Sequence, residues 1–112
     1  MKINIKGKNL DLTPAIKGYV QEKMDMLEKY LGNTQVVNCD FEVEKTTNHH
    51  LKGNIFRAEA NLEVPGELLR VEKEEVELFK AIDKVKDHMT RSIERYKEKK
   101  QDKRRQARGD KI

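Results

Sequence analysis

Residues 78–96 read LFKAIDKVKDHMTRSIERY, and this segment carries an apolar seam and a cationic stripe on nearly opposite faces of one helix. At about 100° per residue, the two sets of side chains fall in separate arcs. The apolar seam consists of Leu78, Ile82, Val85, Met89, Ile93 and Tyr96, and the cationic stripe consists of Lys80, Lys84, Arg91 and Arg95. The pattern predicts a helix that packs on a core with one face and leaves the other face free to meet anions.

The residues after Tyr96 carry the positive charge of the chain. Residues 97–112 contain eight basic and three acidic residues, a net charge of +5, whereas residues 1–96 contain 16 basic and 17 acidic residues. Because this tail cannot bury apolar area, we expect a folded domain over 1–98 and a basic tail over 99–112 that continues the helix and then frays. Clustered Lys and Arg attract polyanions, which favours nucleic-acid contact over a merely solvated run of charge.

The first third of the chain predicts one strand and one helix. Alternating polar and apolar residues predict a short strand over 2–6, which Gly7 ends. Thr13 and Pro14 then provide an N-cap and a proline at the first helical position, so a helix begins there and ends at Gly32 and Asn33. The buried face of this helix is predicted to consist of Ile16, Val20, Met24, Leu27 and Leu31.

The middle of the chain predicts three more strands. The first covers 37–44, and the second covers 56–64 and ends at the turn Pro65-Gly66. A polar connection over 45–53 joins them, and a fourth strand includes Leu69 and Val71. The last helix is expected to begin near Glu74 or Glu75, because acidic residues suit the positive end of a helix dipole. The inward side chains of the second strand are predicted to be Val37, Cys39, Phe41 and Val43.

This order of elements, β-α-β-β-β-α, predicts an α+β fold. Two helices can cover one face of a four-stranded, mostly antiparallel sheet, which makes a two-layer sandwich. The other face of the sheet then meets water, and residues 40–77 contain ten acidic and five basic residues. The molecule is therefore expected to be electrically two-sided, with only the helix side suited to a phosphate backbone.

Several function classes are not favoured by the sequence. His49 and His50 are adjacent loop residues, and Cys39 belongs to an inward-facing set, so their spacing predicts no metal site. No carboxylate pair or glycine-rich phosphate loop indicates catalysis, and we expect no enzyme, no cofactor and no small-molecule substrate. A single cysteine, no apolar run at the amino terminus and no span of about 20 apolar residues predict a cytoplasmic protein that does not enter a membrane.

Lys23 is the one basic residue of the first helix that falls inside its apolar arc. Its ammonium group either reaches water past the edge of the core or lies at the seam between the two helices, beside the cationic stripe. Both positions remain open at the level of the sequence.

Seven short motifs occur along the chain in a definite order and spacing. They are Thr13-Pro14, Glu22-Lys23-Met24, Leu27-Glu28-Lys29-Tyr30, Arg57-Ala58-Glu59-Ala60, Pro65-Gly66, Leu69-Arg70-Val71-Glu72 and Leu78-Phe79-Lys80-Ala81-Ile82-Asp83. In this order they resemble the ribosome hibernation promoting factor family, which includes the ribosome-associated inhibitor, or protein Y, and was also called sigma-54 modulation protein. The resemblance covers residues 1 to about 99 and implies a fold like that of double-stranded-RNA-binding domains.

The resemblance implies a non-catalytic factor that is monomeric when free and docks in the decoding region of the small ribosomal subunit. There it would occlude the mRNA and tRNA sites and silence translation under stress or in stationary phase. The stripe and the family's basic helix positions together give the candidate rRNA-binding residues Lys23, Lys29, Lys80, Lys84, Arg91, Arg95 and Lys97.

The chain also departs from the family pattern. Phe56 stands where the family often has histidine, and His88 and Ser92 replace a commonly basic and a commonly glutamine position. The chain resembles the short class of the family, which lacks a second, dimer-forming domain. Some members of that class promote ribosome dimers and others prevent them, and the sequence does not decide between the two. The alternative is a small regulatory module that binds a protein through the acidic sheet face and nucleic acid non-specifically through its tail.

Overall fold

A computed structural model describes residues 1–47 and 53–109. Four strands form one sheet in the order β1-β2-β3-β4, with β1 parallel to β2 and the other neighbours antiparallel. The predicted α+β fold, with the helices on one face of a mostly antiparallel sheet, is therefore confirmed. The elements are β1 (Asn4–Lys8), α1 (Pro14–Asp25), α2 (Glu28–Leu31), β2 (Asn38–Thr47), β3 (Asn54–Val64), β4 (Glu67–Glu75) and α3 (Leu78–Gly109).

The core lies between the sheet and the helices, and the predicted apolar faces build it. The helix layer, with the short link between α1 and α2, buries Val20, Met24, Leu27 and Leu31, the whole apolar seam of α3 and, beside that seam, Ala81. The strands contribute Cys39, Phe41, Val43, Ala58, Ala60, Leu62, Val64, Leu69 and Val71. Because burial of apolar area is the main favourable term in folding, this two-layer contact holds α3 in a fixed rotation about its axis.

The predicted start of the first helix is confirmed, but the helix does not run unbroken to Gly32. The Thr13 hydroxyl oxygen accepts a hydrogen bond from the Ile16 backbone N–H at 3.2 Å. Near the other end, the Leu27 N–H donates to the Met24 carbonyl at 3.0 Å, an i to i−3 bond that tightens the last turn. The predicted single helix is thus divided into α1 and α2. Leu27, at the tightened turn between them, is fully buried.

Gly7 does not end the first strand, because β1 extends through Lys8. A Cβ atom at Gly7 would lie 3.0 Å from both the Leu10 carbonyl oxygen and Cγ of Leu12. The glycine is therefore required by the close approach of the following loop and not by a turn. The strand covers residues 4–8 instead of the predicted 2–6, because its pairing with β2 runs from Asn4 to Lys8.

Two other predicted boundaries are wrong. Val37 does not face the core; it precedes β2 and is 54% exposed, while its N–H donates to the Glu63 carbonyl at 2.8 Å. The last helix begins at Leu78 and not near Glu75, because Glu75 still pairs with Phe56 in the sheet. Strand hydrogen bonds with β3 thus outweigh the weak preference of acidic residues for a helix start.

The connection between β2 and β3 is shorter than the predicted polar segment 45–53. The two strands pair out to Thr47 and Asn54. His49 and His50 lie outside the described residues.

Helix α3 has 32 residues, which corresponds to a length of about 48 Å. Among residues 78–105, whose side chains the structure describes, the last buried apolar residue is Tyr96, and its hydroxyl donates to the Pro65 carbonyl at 2.6 Å. Residues 97–109 therefore extend as helix past the packed seam. A functional boundary near residue 98 remains a prediction. Within the described ranges, no helix is both long enough and apolar enough to cross a bilayer.

Candidate nucleic-acid interface

The four residues of the cationic stripe are all exposed on α3. Lys84 forms an ion pair with Glu75, and Lys80 Nζ lies 3.8 Å from Glu77 Oε2. Among the described residues, Arg91 and Arg95 have no ion-pair partner within 4 Å. The stripe therefore presents two arginines at its carboxyl-terminal half and two lysines engaged by glutamates at its amino-terminal half.

The lysine pairs of the stripe are weak. The side chains of Lys84 and Lys80 are 56% and 62% exposed, and ion pairs at such exposed sites are typically worth about 0–1 kcal/mol. The hydrogen bond from Lys84 lowers the pKa of Glu75 below its ordinary value. Both lysines can therefore exchange a glutamate for a phosphate at little energetic cost.

Lys23 lies at the seam between α1 and α3. Its Nζ is 3.4 Å from Asp83 Oδ1 and 5.2 Å from the centre of the Tyr19 ring, and the side chain is 21% exposed. The Tyr19 hydroxyl donates to the same Asp83 oxygen at 2.5 Å. Burial opposes the charge on Lys23, but Asp83 more than compensates and raises the pKa of Lys23. The structure thus favours the seam position, with the lysine charge partly matched by an aspartate.

Lys29 and Lys97 both lie beside Tyr30, at the end of α2. Lys29 Nζ is 5.1 Å from the centre of the Tyr30 ring. Lys97 Nζ donates to the Tyr30 carbonyl at 2.9 Å, which satisfies an otherwise open acceptor at the end of α2. Because a carbonyl is neutral, Lys97 keeps its full positive charge while being held in place.

The candidate residues do not form one continuous surface. Along α3, Lys97 is rotated by about 120° from Arg91, toward α2. Asp83, Asp87 and Glu94 fall in the arc between them, so an acidic row separates the two groups. One group, Lys23, Lys29 and Lys97, lies on the α1/α2 flank of α3, and the other, Lys80, Lys84, Arg91 and Arg95, lies on the solvent side toward β4.

The sequence interpretation missed how β4 adds to the stripe. The pKa of His88 is lowered by burial and then by Lys73, Arg91 and Arg95. Lys73 comes from β4, so this histidine lies among cations from two elements. Only the packing of β4 against α3 brings Lys73 here, and no local pattern in the sequence contains that information.

The open face of the sheet is acidic, as the alternation predicts. The side chain of Arg57 is only 13% exposed and contacts the carboxylates of Glu42, Glu44, Glu59 and Glu72. Across the register, Glu42 faces Glu59 directly, so the arginine offsets repulsion between like charges. This face repels a phosphate backbone, and the cationic groups of the helix layer lie on the other side of the molecule.

Cys39 is a core thiol, as predicted. It is 1% exposed, and burial raises its pKa to about 11, so the nucleophilic thiolate is scarcely populated at neutral pH. Within residues 1–47 and 53–109, no group of three or more His, Cys, Asp or Glu side chains is arranged to hold a metal ion.

Comparisons with known proteins agree with the resemblance in the sequence. Residues 3–101 match the model of the family described as sigma 54 modulation protein / S30EA ribosomal protein. The chain therefore belongs to this family. The ribosome hibernation promoting factor of Azotobacter vinelandii is 35% identical over 99 residues, which cover 88% of this chain and 85% of that protein. The one of Klebsiella oxytoca is 31% identical and covered over 96% of its length.

A longer relative matches over part of its length. The ribosome hibernation promotion factor of Deinococcus radiodurans is 28% identical over 93 residues, 83% of this chain, and the chain spans only 47% of that protein. Among solved structures, the protein Y N-terminal domain of Thermus thermophilus superimposes with a TM-score of 0.68 at 31% identity, over 86% of this chain and 99% of that domain. A ribosomal subunit interface protein from Coxiella burnetii, at 18% identity, shares the fold with a TM-score of 0.71, over 87% of this chain and 98% of that protein.

Proposed function

We propose that this protein is a ribosome hibernation factor that binds the small ribosomal subunit in the decoding region and silences translation by occluding the mRNA and tRNA sites. The observation that carries the proposal is the division of charge in a fold of this family. Cations lie on the helix layer, whereas the opposite face of the sheet carries carboxylates around Arg57.

The helix layer suits folded RNA because rRNA is bound mainly through its shape and its backbone charge. Arg91 and Arg95 are exposed and can each donate two hydrogen bonds to one phosphate. Lys84 and Lys80 can join them by releasing their glutamate partners. Such contacts position a protein without reading bases, which is sufficient for a factor that acts by filling a site.

Occlusion requires no catalytic group. We therefore propose a cytoplasmic, non-enzymatic protein that needs no cofactor and is monomeric when free. Residues 1–98 would provide the ribosome-binding domain, and the basic tail 99–112 would strengthen the association in a salt-dependent way.

Co-sedimentation with purified small subunits tests the binding step. The double variant Arg91→Gln/Arg95→Gln removes two exposed cations of the stripe. We expect its affinity to fall, and the slope of log K against log salt to flatten by up to about 1.4–1.8, because each lost phosphate contact removes about 0.7–0.9. A matched control, Lys6→Gln/Lys45→Gln, makes the same change in charge at exposed residues of β1 and β2 and should leave binding unchanged.

Competition tests the occlusion step. Added protein should lower translation in vitro, and small subunits preloaded with mRNA and initiator tRNA should bind it more weakly than empty subunits. Equal binding to empty and preloaded subunits would contradict occlusion. Equal affinity for subunits and for any RNA duplex would instead favour the alternative function, a regulatory interaction module with non-specific nucleic-acid binding.

A further inference from the structure

A second cationic site lies on the flank of α3 that faces α2, away from the stripe. There the turn after α2 and the part of α3 that continues beyond the core form the two walls of a solvent-exposed groove. We call it the tail groove, and it is lined by Leu31, Gly32, Asn33, Thr34, Lys97, Lys100, Gln101 and Arg104.

The cations of the tail groove form one helical row. Lys97, Lys100, Gln101 and Arg104 follow the spacing i, i+3, i+4 and i+7, which places all four on one face of α3. Lys97 is held by its hydrogen bond to the Tyr30 carbonyl. Lys100 Nζ lies 5.4 Å from the centre of the Tyr96 ring, which orients a second ammonium group without neutralising it.

The tail groove also differs from the stripe in its charge balance. No acidic side chain lines it, whereas the groove beside Arg91 and Arg95 is also lined by Glu94 and Glu98. On α3, Glu98 is turned by about 110° from the centre of the groove row, and Asp102 by about 150°. Among the described residues, this groove therefore joins three cations with no carboxylate between them.

We propose that the tail groove binds the phosphodiester backbone of RNA, as a second contact that is separate from the stripe. Arg104 can donate two parallel hydrogen bonds to a phosphate, and the two lysines supply point charges. The side chains of Asn33, Thr34 and Gln101 add neutral donors of the kind that proteins use for phosphate and ribose oxygens.

Two sets of cations on different flanks of α3 would fix the rotation of the helix on the RNA, which the stripe alone would not do. A single cationic row allows the helix to rotate about its contact line, whereas two rows separated by the acidic row of Asp83, Asp87 and Glu94 allow only one rotation. The tail groove therefore contributes orientation as well as affinity. This inference rests on the proposed function only in naming rRNA as the RNA that is bound.

Charge removal in the groove tests the proposal. The variant Lys100→Gln/Arg104→Gln leaves Lys97 and its bond to α2 intact, and both positions are exposed. The matched control is Lys103→Gln/Arg105→Gln, which removes two exposed cations of the same tail that do not line the groove. We expect the groove variant to bind small subunits more weakly than this control, with a salt slope flattened by up to about 1.4–1.8. Equal affinities and equal salt slopes for the two variants would overturn the tail groove.

A short RNA duplex separates the two proposals. If the unaltered protein ignores ribosomes but binds the duplex, and Lys100→Gln/Arg104→Gln weakens that binding, the proposed function fails and the groove stands. If the unaltered protein binds ribosomes and the groove variant binds equally well, the groove fails and the proposed function stands.

A tethered cleavage probe reports the position of the groove directly. Because Cys39 is buried, an iron chelate that generates hydroxyl radicals will label only the new thiol in Gln101→Cys. We expect cleavage of small-subunit rRNA from this position and none from Glu63→Cys, an exposed site on the sheet. Cleavage from Glu63→Cys alone would overturn the proposal.

Discussion

Arg57 lies in the middle of the open sheet face, where its guanidinium group contacts four carboxylates. Its Nε donates to Glu44 Oε1 at 2.8 Å, and Nη2 donates to Glu42. Its Nη1 is 3.5 Å from Glu59 and 3.8 Å from Glu72. The substitution Arg57→Met keeps an unbranched chain but removes every donor, so these carboxylates would be left side by side.

The expected loss of stability follows from these contacts. A hydrogen bond to a charged group contributes about 1.5–3 kcal/mol, and two such bonds are lost. Because the sheet face is open, the released carboxylates regain water, and the cost stays at the lower end of the summed range for the two bonds, about 3–6 kcal/mol. We expect Arg57→Met to lower the free energy of unfolding by about 3 kcal/mol and the Tm by about 12 °C, at about 4 °C per kcal/mol for a domain of this size.

Arg70→Met is the matched control. Arg70 lies on the same face and contacts Glu59 at 2.7 Å, but its side chain is 64% exposed against 13% for Arg57. An exposed ion pair contributes about 0–1 kcal/mol, so this variant should lose less than about 1 kcal/mol. Urea denaturation at pH 7 and low salt, followed by circular dichroism, measures both. Equal losses in the two variants would refute the burial argument.

The same cluster predicts a pH dependence. The hydrogen bond from Arg57 lowers the pKa of Glu44 below its ordinary value of 4.5. Burial opposes ionisation of Glu59, but Arg70 and Arg57 still lower its pKa. The stabilisation is therefore present above about pH 4.5 and is lost as the pH falls through the lowered values. The difference in stability between the unaltered protein and Arg57→Met should shrink below pH 4.5, and a constant difference from pH 7 to pH 3 would contradict this account.

Three further predictions concern single side chains. Leu27→Ala should lower the free energy of unfolding by about 2–5 kcal/mol in urea denaturation, because Leu27 is fully buried, whereas Met26→Ala, at a 38% exposed residue, should change it little. His88 should titrate below pH 6.5 by NMR, and Arg91→Gln should raise that pKa, because burial and then nearby cations lower it. Since the unfolded histidine binds protons more readily, its contribution to stability falls as the pH drops below 6.5. Cys39 should react with a thiol reagent much faster in urea than in the native state, and fast reaction in both would contradict its burial.

The order of the elements and their buried faces follow from local patterns. Side chains return to the same face every 3.6 residues in an α-helix and every two residues in a strand. The apolar seam of α3 can therefore be recognised in the sequence without knowing that it packs on the sheet. Ile82, Val85 and Met89 are accordingly all fully buried. The exposure of the stripe could be predicted for the same reason, because it lies opposite that seam.

The boundaries that were predicted wrongly depend on contacts distant in sequence. Gly7 stays in β1 because it pairs with Val43 of β2, and Glu75 stays in β4 because it pairs with Phe56 of β3. A local signal for a turn or a helix start contributes less free energy than a contact that satisfies backbone hydrogen-bonding groups or fills space in the core.

The sequence by itself determined which residues are cationic and which helical face each one occupies. Only the tertiary structure decided their neighbours: Asp83 beside Lys23, Glu75 beside Lys84, and the Tyr30 carbonyl beside Lys97. The division of the cations into a stripe and a tail groove is likewise tertiary, because α2 must pack beside α3 before the groove exists. The physical reason is that periodicity is a property of one segment, whereas charge pairing depends on distances between segments that only the packed core sets.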